Sequence, residues 1–335
     1  MAARPTDRKG NDAPNTTARH RRRRRPPARR HGLQQPRRCP ERARRRGRVR
    51  RRRTTLHHRH GHPRGARCGV LGPGAGRRRA SLGIDLRYAN NVAAPEQATL
   101  VQNAIDSQVD GIAVTLAFPD AVGPAVQAAA QAGIPVVAFN SGIEQYEQYG
   151  AMMYFGSDEQ LAGQSLGERM ASEGAGKAIC VVHEQGNISL ETRCAGVTAG
   201  MPNTENLNVD GTNLPAVQAT ITAKLQQDPA ITHIVTLDAG IAGAALAARD
   251  TAGSEATIAT FDLNPEVIQA IQDGEIAFSV DQQPYLQGYL AVQALWLNLT
   301  NGNDIGGGRP VLTGPSFVDS SNIAQIAEYA ANNTR

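Results

Sequence analysis

The first 80 residues contain no Phe, Tyr or Trp, and the first aromatic of the chain is Tyr88. They are also poor in acids, with only Asp7, Asp12 and Glu41, yet they hold 28 of the 36 Lys and Arg, a net charge of +25. Residues 81–335 reverse the balance, with eight basic residues against 27 acids, a net charge of −19. The overall +6 is therefore the sum of two unlike segments. Without aromatics and with few aliphatics, residues 1–80 cannot bury enough apolar surface to offset their ordering entropy, so the composition predicts disorder. The arginine runs at 20–25 and 44–53 would neutralise phosphates. No helix-turn-helix pattern, Cys2His2 spacing or interleaved aromatics accompany them, which argues against a specific nucleic-acid partner. His57, His58, His60 and His62 have no Cys or carboxylate at ligand spacing, so no metal site is expected. Gly72-Pro73-Gly74-Ala75-Gly76 lacks a preceding strand and a following apolar helix, which excludes a dinucleotide loop.

A second reading of the same stretch stands beside the arginine-rich arm. Arg, Pro, Gly, Ala and His are what GC-rich codons give when read out of frame. Ala75-Gly76-Arg77, written GCA GGC CGG C, becomes Gln-Ala-Gly one nucleotide on. Val70-Leu71-Gly72, shifted likewise, allows a Trp codon. The hidden frame would then begin an amphipathic helix, and the DNA sequence decides the matter: stop codons throughout that frame would remove it.

Other absences narrow the function. No run of 18 apolar residues occurs, so no membrane span is expected, and Met1–Arg30 has no apolar core of a secretory signal. Beyond residue 80 only His183 and His233 remain, in no Ser/His/Asp or Cys/His arrangement, and no metal-ligand cluster or phosphate loop appears. An enzyme, a cofactor and a metal are all unexpected. Cysteine is scarce too. Cys39 and Cys68 lie in the basic segment, and Cys180 and Cys194 fall on a predicted strand and the next helix. The latter pair is either a disulfide of an oxidising compartment or two buried thiols.

What is present after residue 80 is alternation. Short β-branched runs at 82–88, 111–115, 134–139, 152–155, 178–183, 207–209, 233–237, 256–261 and 276–280 alternate with amphipathic stretches. The latter lie at 95–107, 120–132, 159–172, 190–201, 215–227, 239–250, 265–273 and 284–299, the last expected to bury Trp296. Residues 311–317 read as extended and 322–331 as a final helix. This rhythm predicts an α/β fold of βα units on parallel sheets. In such sheets ligands sit beyond the carboxyl ends of the strands. Asn140, Asp238, Asp262 and Gln282 follow strand ends, and no Arg or Lys does, which points to a neutral, hydroxyl-rich ligand. Each has a plainer alternative: Asp238 and Asp262 as helix caps, Asn140 as a turn residue, Gln282 as a hinge contact.

The stretch from about Gly83 to Arg335 resembles the type I periplasmic sugar-binding proteins of ABC importers, the ribose, galactose and inositol group. The motifs that carry this are Val109-Asp110-Gly111-Ile112-Ala113-Val114, the run Ala132–Asn140, Gly156-Ser157-Asp158, Phe261-Asp262, Asp273-Gly274-Glu275-Ile276 and Asp281–Tyr289. The resemblance implies two Rossmann-like lobes joined by three strands, with the first βα unit missing. The lobes would comprise 81–154 plus 283–311, and 155–282 plus 312–335. It also implies a sugar or polyol ligand, an ABC permease partner and a periplasmic or extracellular location. By position it places ligand contacts at Asn140, Glu191, Asn213, Asp238, Asp262 and Gln282. Glu191 falls where ribose-type members carry a ligand Arg, and it reads equally as a solvated helix residue; Arg193 looks structural. Thr212 and Asn213 lie in a loop that often supplies a stacking aromatic, absent here. The alternative within the same fold is a sugar-responsive transcription regulator of the LacI type.

Overall fold

The computed structural model describes residues 82–87, 93–332 and 334–335; both expectations for residues 1–80 lie outside them. Of the strand predicted at 82–88, residues 82–87 are described; among these Arg87 alone enters a strand bridge, and Gly83 takes a left-handed backbone (φ 68°). All described residues fall within one contact unit.

Among them two sheets form. The first is built from α1 (Ala94–Asp106), β1 (Ile112–Val114), α2 (Pro119–Gln131), β2 (Val136–Asn140) and β3 (Met153–Gly156). The chain then enters the second sheet through α3 (Glu159–Ser172), β4 (Lys177–Val182), α4 (Ile188–Gly200), β5 (Thr204–Asn208), α5 (Leu214–Gln227) and β6 (Ile231–Thr236). It continues through α6 (Ala239–Ala252), β7 (Thr257–Phe261), α7 (Pro265–Asp273) and β8 (Ile276–Asp281). Helix α8 (Pro284–Asn301) and β9 (Val311–Leu312) return to the first sheet, and β10 (Ser316–Asp319) with α9 (Ile323–Ala331) close the second. The strand orders are β1-β2-β3-β9, all parallel, and β5-β4-β6-β7-β8-β10, parallel except for the last pair.

Strand alternation sets both cores. In the first sheet Ile112, Val114, Val136 and Ala138 face α1 and α2, while Ala113, Val137, Phe139 and Phe155 face α8. In the second, Ile179, Val181, Ile234 and Ile258 face α5, α6 and α7. Ala178, Cys180, Val182, Val235 and Phe261 face α3 and α4. Each large aliphatic chain buried this way contributes about 1.5–3 kcal/mol. Three expectations shift. The strand predicted at 207–209 is β5, displaced toward the N-terminus, because Glu205, Asn206 and Asn208 are exposed and carry no apolar signal. The extended run 311–317 divides into β9 and β10, one in each sheet. Trp296 is half-buried; Ala291, Val292, Ala294 and Leu295 form the buried stripe of α8 instead.

Helices α3 and α4 dock backbone to backbone. Gly163 and Gly167 on one helix meet Gly196 and Gly200 on the other, each pair four residues apart and so on one face. A Cβ on Gly163 would lie 2.0 Å from the Arg193 carbonyl oxygen, and one on Gly196 would lie 2.4 Å from that of Gln160. Only glycine permits this approach. It brings Glu159, in the first turn of α3, against Arg193 of α4, and a disulfide between Cys180 and Cys194 (Cα–Cα 5.8 Å) ties α4 to β4.

Candidate functional site

The chain passes between the sheets three times: after β3, after β8 and after β9. Polar groups lace these crossings together. The Thr313 amide donates to the Gly156 carbonyl (2.8 Å), and the Thr313 hydroxyl donates to the Gln282 carbonyl (2.7 Å). The buried Gln287 amide donates to the same carbonyl and to the Thr313 hydroxyl, each at 3.1 Å. Gln283, in left-handed conformation (φ 58°), donates from its side chain to the Thr313 carbonyl.

Asn140 ends β2, also left-handed (φ 66°), and its side chain turns toward these crossings. Its Nδ2 donates to Gln287 Oε1 (3.4 Å), and its Oδ1 accepts from Ser141 (3.2 Å) and Thr115 (3.4 Å). Tyr154 fixes the backbone from below by donating to the Asn140 carbonyl (2.8 Å). Gln282 follows β8. Its Nε2 donates to Asp262 Oδ1 and its Oε1 accepts from Arg193 Nη2, both at 2.8 Å. Arg193 is 3% exposed and grips Glu159 with two parallel bonds, Nε to Oε2 (2.5 Å) and Nη2 to Oε1 (3.0 Å). Its guanidinium lies 4.7 Å from the Phe261 ring centroid. A buried ion pair of this kind survives desolvation only with such two-point geometry and further hydrogen bonds.

The network therefore runs from Asn140 through Gln287 and Gln282 to Asp262, Arg193 and Glu159. Burial pushes Asp262 up to about 7; Asp238 and Asp281 add to this, against Arg193 and the Gln282 bond. Asp262 does not cap α7, whose cap is Asn264. Asp238 does cap α6, accepting from the amides of Gly240 and Ile241, and it is close enough to Asp262 to raise its pKa. Glu191 and Asn213 lie outside the network. Glu191 is exposed and accepts from the Gly186 amide (2.9 Å), while Asn213 is exposed and caps α5 through the Ala216 amide. Arg193 is the central residue that the sequence reading set aside, and its mark was the glycine spacing shared by two adjacent helices.

The two sheets also touch away from the crossings. The Ile188 amide, at the start of α4, donates to the Ala117 carbonyl beyond β1 (3.0 Å). Between this contact and the start of α3 lies a cleft of about 80 Å³ lined by Gly142, Glu144, Asp158, Ser189 and Thr192 among others.

Residues 71–304 match the family model described as periplasmic binding protein domain. The chain belongs to the periplasmic binding protein family. The match begins ten residues inside the basic segment. A carbohydrate transporter of Acidothermus cellulolyticus 11B, solved in complex with myo-inositol, is 48% identical, with 78% of this chain and 92% of that one covered and a TM-score of 0.77. An ABC sugar transporter of Legionella pneumophila, a periplasmic sugar-binding protein, is 25% identical over 74% of this chain and 97% of that one (TM-score 0.67). Among curated relatives, the xylose/arabinose-binding protein XylF of Sulfolobus acidocaldarius is 29% identical over 268 residues, 73% of this chain and 66% of that protein. The ribose import binding protein RbsB of Bacillus subtilis is 25% identical over 59% of this chain, again spanning 66% of the relative. With these likenesses the fold is the type I arrangement: two Rossmann-like sheets joined by three crossings.

Proposed function

We propose that this protein is an extracytoplasmic solute-binding protein that takes a monosaccharide or polyol between two lobes and presents it to an ABC permease. The lobes are residues 81–156 plus 283–312 and residues 157–282 plus 313–335; the bounds expected after 154 and 311 fall inside β3 and β9, whose residues Phe155, Gly156 and Leu312 pair within the first sheet. The observation that carries the reading is the hydrogen-bond network joining Asn140 on one sheet to Gln282 and Asp262 on the other. Its one guanidinium is already neutralised by Glu159. A ligand there meets amides and carboxyl groups and no free cation, which suits hydroxyls and disfavours anions. Asn140, Asp238, Asp262 and Gln282 form the ligand set, with Arg193 orienting Gln282. Glu191 and Asn213, exposed and bonded to the Gly186 and Ala216 amides, stand outside this set.

The 48% identical neighbour, solved with myo-inositol, and the pentose- and ribose-binding relatives support this class of ligand. That the myo-inositol-bound neighbour is a carbohydrate transporter and RbsB a ribose import binding protein favours a binding protein over a regulator or an enzyme, and a periplasmic or extracellular setting. The working motion is closure about the three crossings, with ligand shifting the population toward the closed form. Isothermal titration of the full chain with myo-inositol, D-xylose, L-arabinose, D-ribose, D-galactose and D-glucose tests it. Saturable heat with at least one of them is expected; no heat with any overturns the reading.

A further inference from the structure

The carboxyl ends of the second sheet form an ordered row. In the spatial order β5, β4, β6, β7, β8 the first residues beyond the strands lead to Asp210, His183, Asp238, Asp262 and Gln282. Asp238, Asp262 and Gln282 belong to the site already described, and His183 is the next residue of the row. Its backbone carbonyl accepts from the Gly211 amide (2.9 Å), and a Cβ on Gly211 would stand 3.2 Å from its ring Cδ2, so the loop after β5 fixes the ring from one side. Its Nδ1 is shielded from solvent and has no hydrogen-bond partner in the protein. A shielded polar atom without a partner is costly, and in a native protein it calls for an explanation. The charged groups acting on the ring are Asp238 beyond β6, Glu184 on its own loop and Arg193 on α4. Burial holds the imidazole below its ordinary pKa, with Arg193 reinforcing and the two acids opposing, so it is neutral at pH 7.

We propose that His183 is a specificity-determining contact of this site: as the lobes part, its Nδ1 is uncovered and pairs with one hydroxyl of a neutral polyhydroxy ligand at the β5 end of the row. This rests on the sugar-binding function proposed above. A hydroxyl fits because it both donates and accepts, and so pairs with either tautomer of a neutral imidazole. An ammonium or carboxylate would fit only one tautomer or protonation state. The contact makes the site selective: a ligand without that hydroxyl leaves Nδ1 unpaired, and affinity falls.

The test is calorimetry of full-length wild type, His183→Ala and His183→Gln with whichever panel sugar binds wild type, and with its monodeoxy analogues. The expected result is a loss of about tenfold or more for His183→Ala, with the ligand-free melting temperature retained. One deoxy analogue should bind weakly to wild type yet lose nothing further on the variant. Equal affinity of wild type and both variants overturns the assignment and leaves the sugar-binding reading intact. No heat with wild type overturns both. If the variants fail to fold, the ring nitrogen resonances of His183 in wild type decide: a shift on saturation with the sugar supports the contact, and unmoved resonances refute it.

Discussion

Asp262 is held in its protonated form by its surroundings, with burial and two neighbouring carboxylates outweighing Arg193 and Gln282. Its folded value of about 7 stands above the ordinary carboxylate value of 3.8. Between those two pH values the folded state holds a proton that the unfolded chain has released. Its contribution to stability is therefore fully present below the unfolded value and is lost as pH rises toward 7. Asp262→Asn should abolish that slope: its ligand-free melting temperature should exceed that of wild type at pH 8 and converge with it near pH 4. Parallel slopes for the two proteins across this range would refute the account. The Glu159–Arg193 pair responds differently, because both partners are buried. Glu159→Ala leaves an uncompensated guanidinium and should cost about 3–5 kcal/mol in urea denaturation. Removal of the surface Lys224–Glu205 pair should leave the denaturation midpoint nearly unchanged.

At the scale of elements, the docking of α3 on α4 decides whether Arg193 reaches the site. Gly163→Leu inserts a side chain where a carbonyl oxygen already stands, so the helices must separate. A loss of about 1–3 kcal/mol or more is expected, accompanied by weaker sugar binding through the displaced Arg193–Gln282 contact. A fully stable variant with intact affinity would show that the helices do not depend on this approach. The Cys180–Cys194 bond closes a short loop around the same helix. Cys180→Ala with Cys194→Ala should lower stability by about 3 kcal/mol, read as the denaturation midpoint of wild type under oxidising conditions against the double variant. Much of this layer was legible in the sequence. The apolar runs of β1, β2, β4, β6 and β7 are strong because both faces of those strands are covered. Edge strand β5 was misplaced because its outward residues are polar. The glycine pairs were overlooked because a four-residue spacing on one helix acquires meaning only when the partner helix is known. Asn140, Asp238, Asp262 and Gln282 were legible since each follows a strand end. His183 was absorbed into its strand, and Arg193 was assigned to structure alone, because its partner Glu159 lies 34 residues upstream.

For the whole molecule, the contact opposite the crossings tests the closing motion. Ile188 is the first helical residue of α4, a position where proline is well tolerated. The preceding Asn187 already has the extended conformation (φ −75°, ψ 106°) that proline demands of its neighbour. Ile188→Pro thus deletes the hydrogen bond to the Ala117 carbonyl and leaves the helix standing. One ordinary hydrogen bond is worth about 0.5–1.5 kcal/mol, so affinity should fall by roughly 2- to 12-fold, mostly through faster ligand dissociation. Stopped-flow dissociation rates check this; unchanged rates would mean that the bond forms in both open and closed states.

That catch is made of main-chain atoms alone. Ligand preference can drift with the side chains at the strand ends, while the fastening that holds a cargo in place stays the same through almost any mutation. Retuning such a receptor for a new nutrient should therefore require few changes, all of them upstream of the lock.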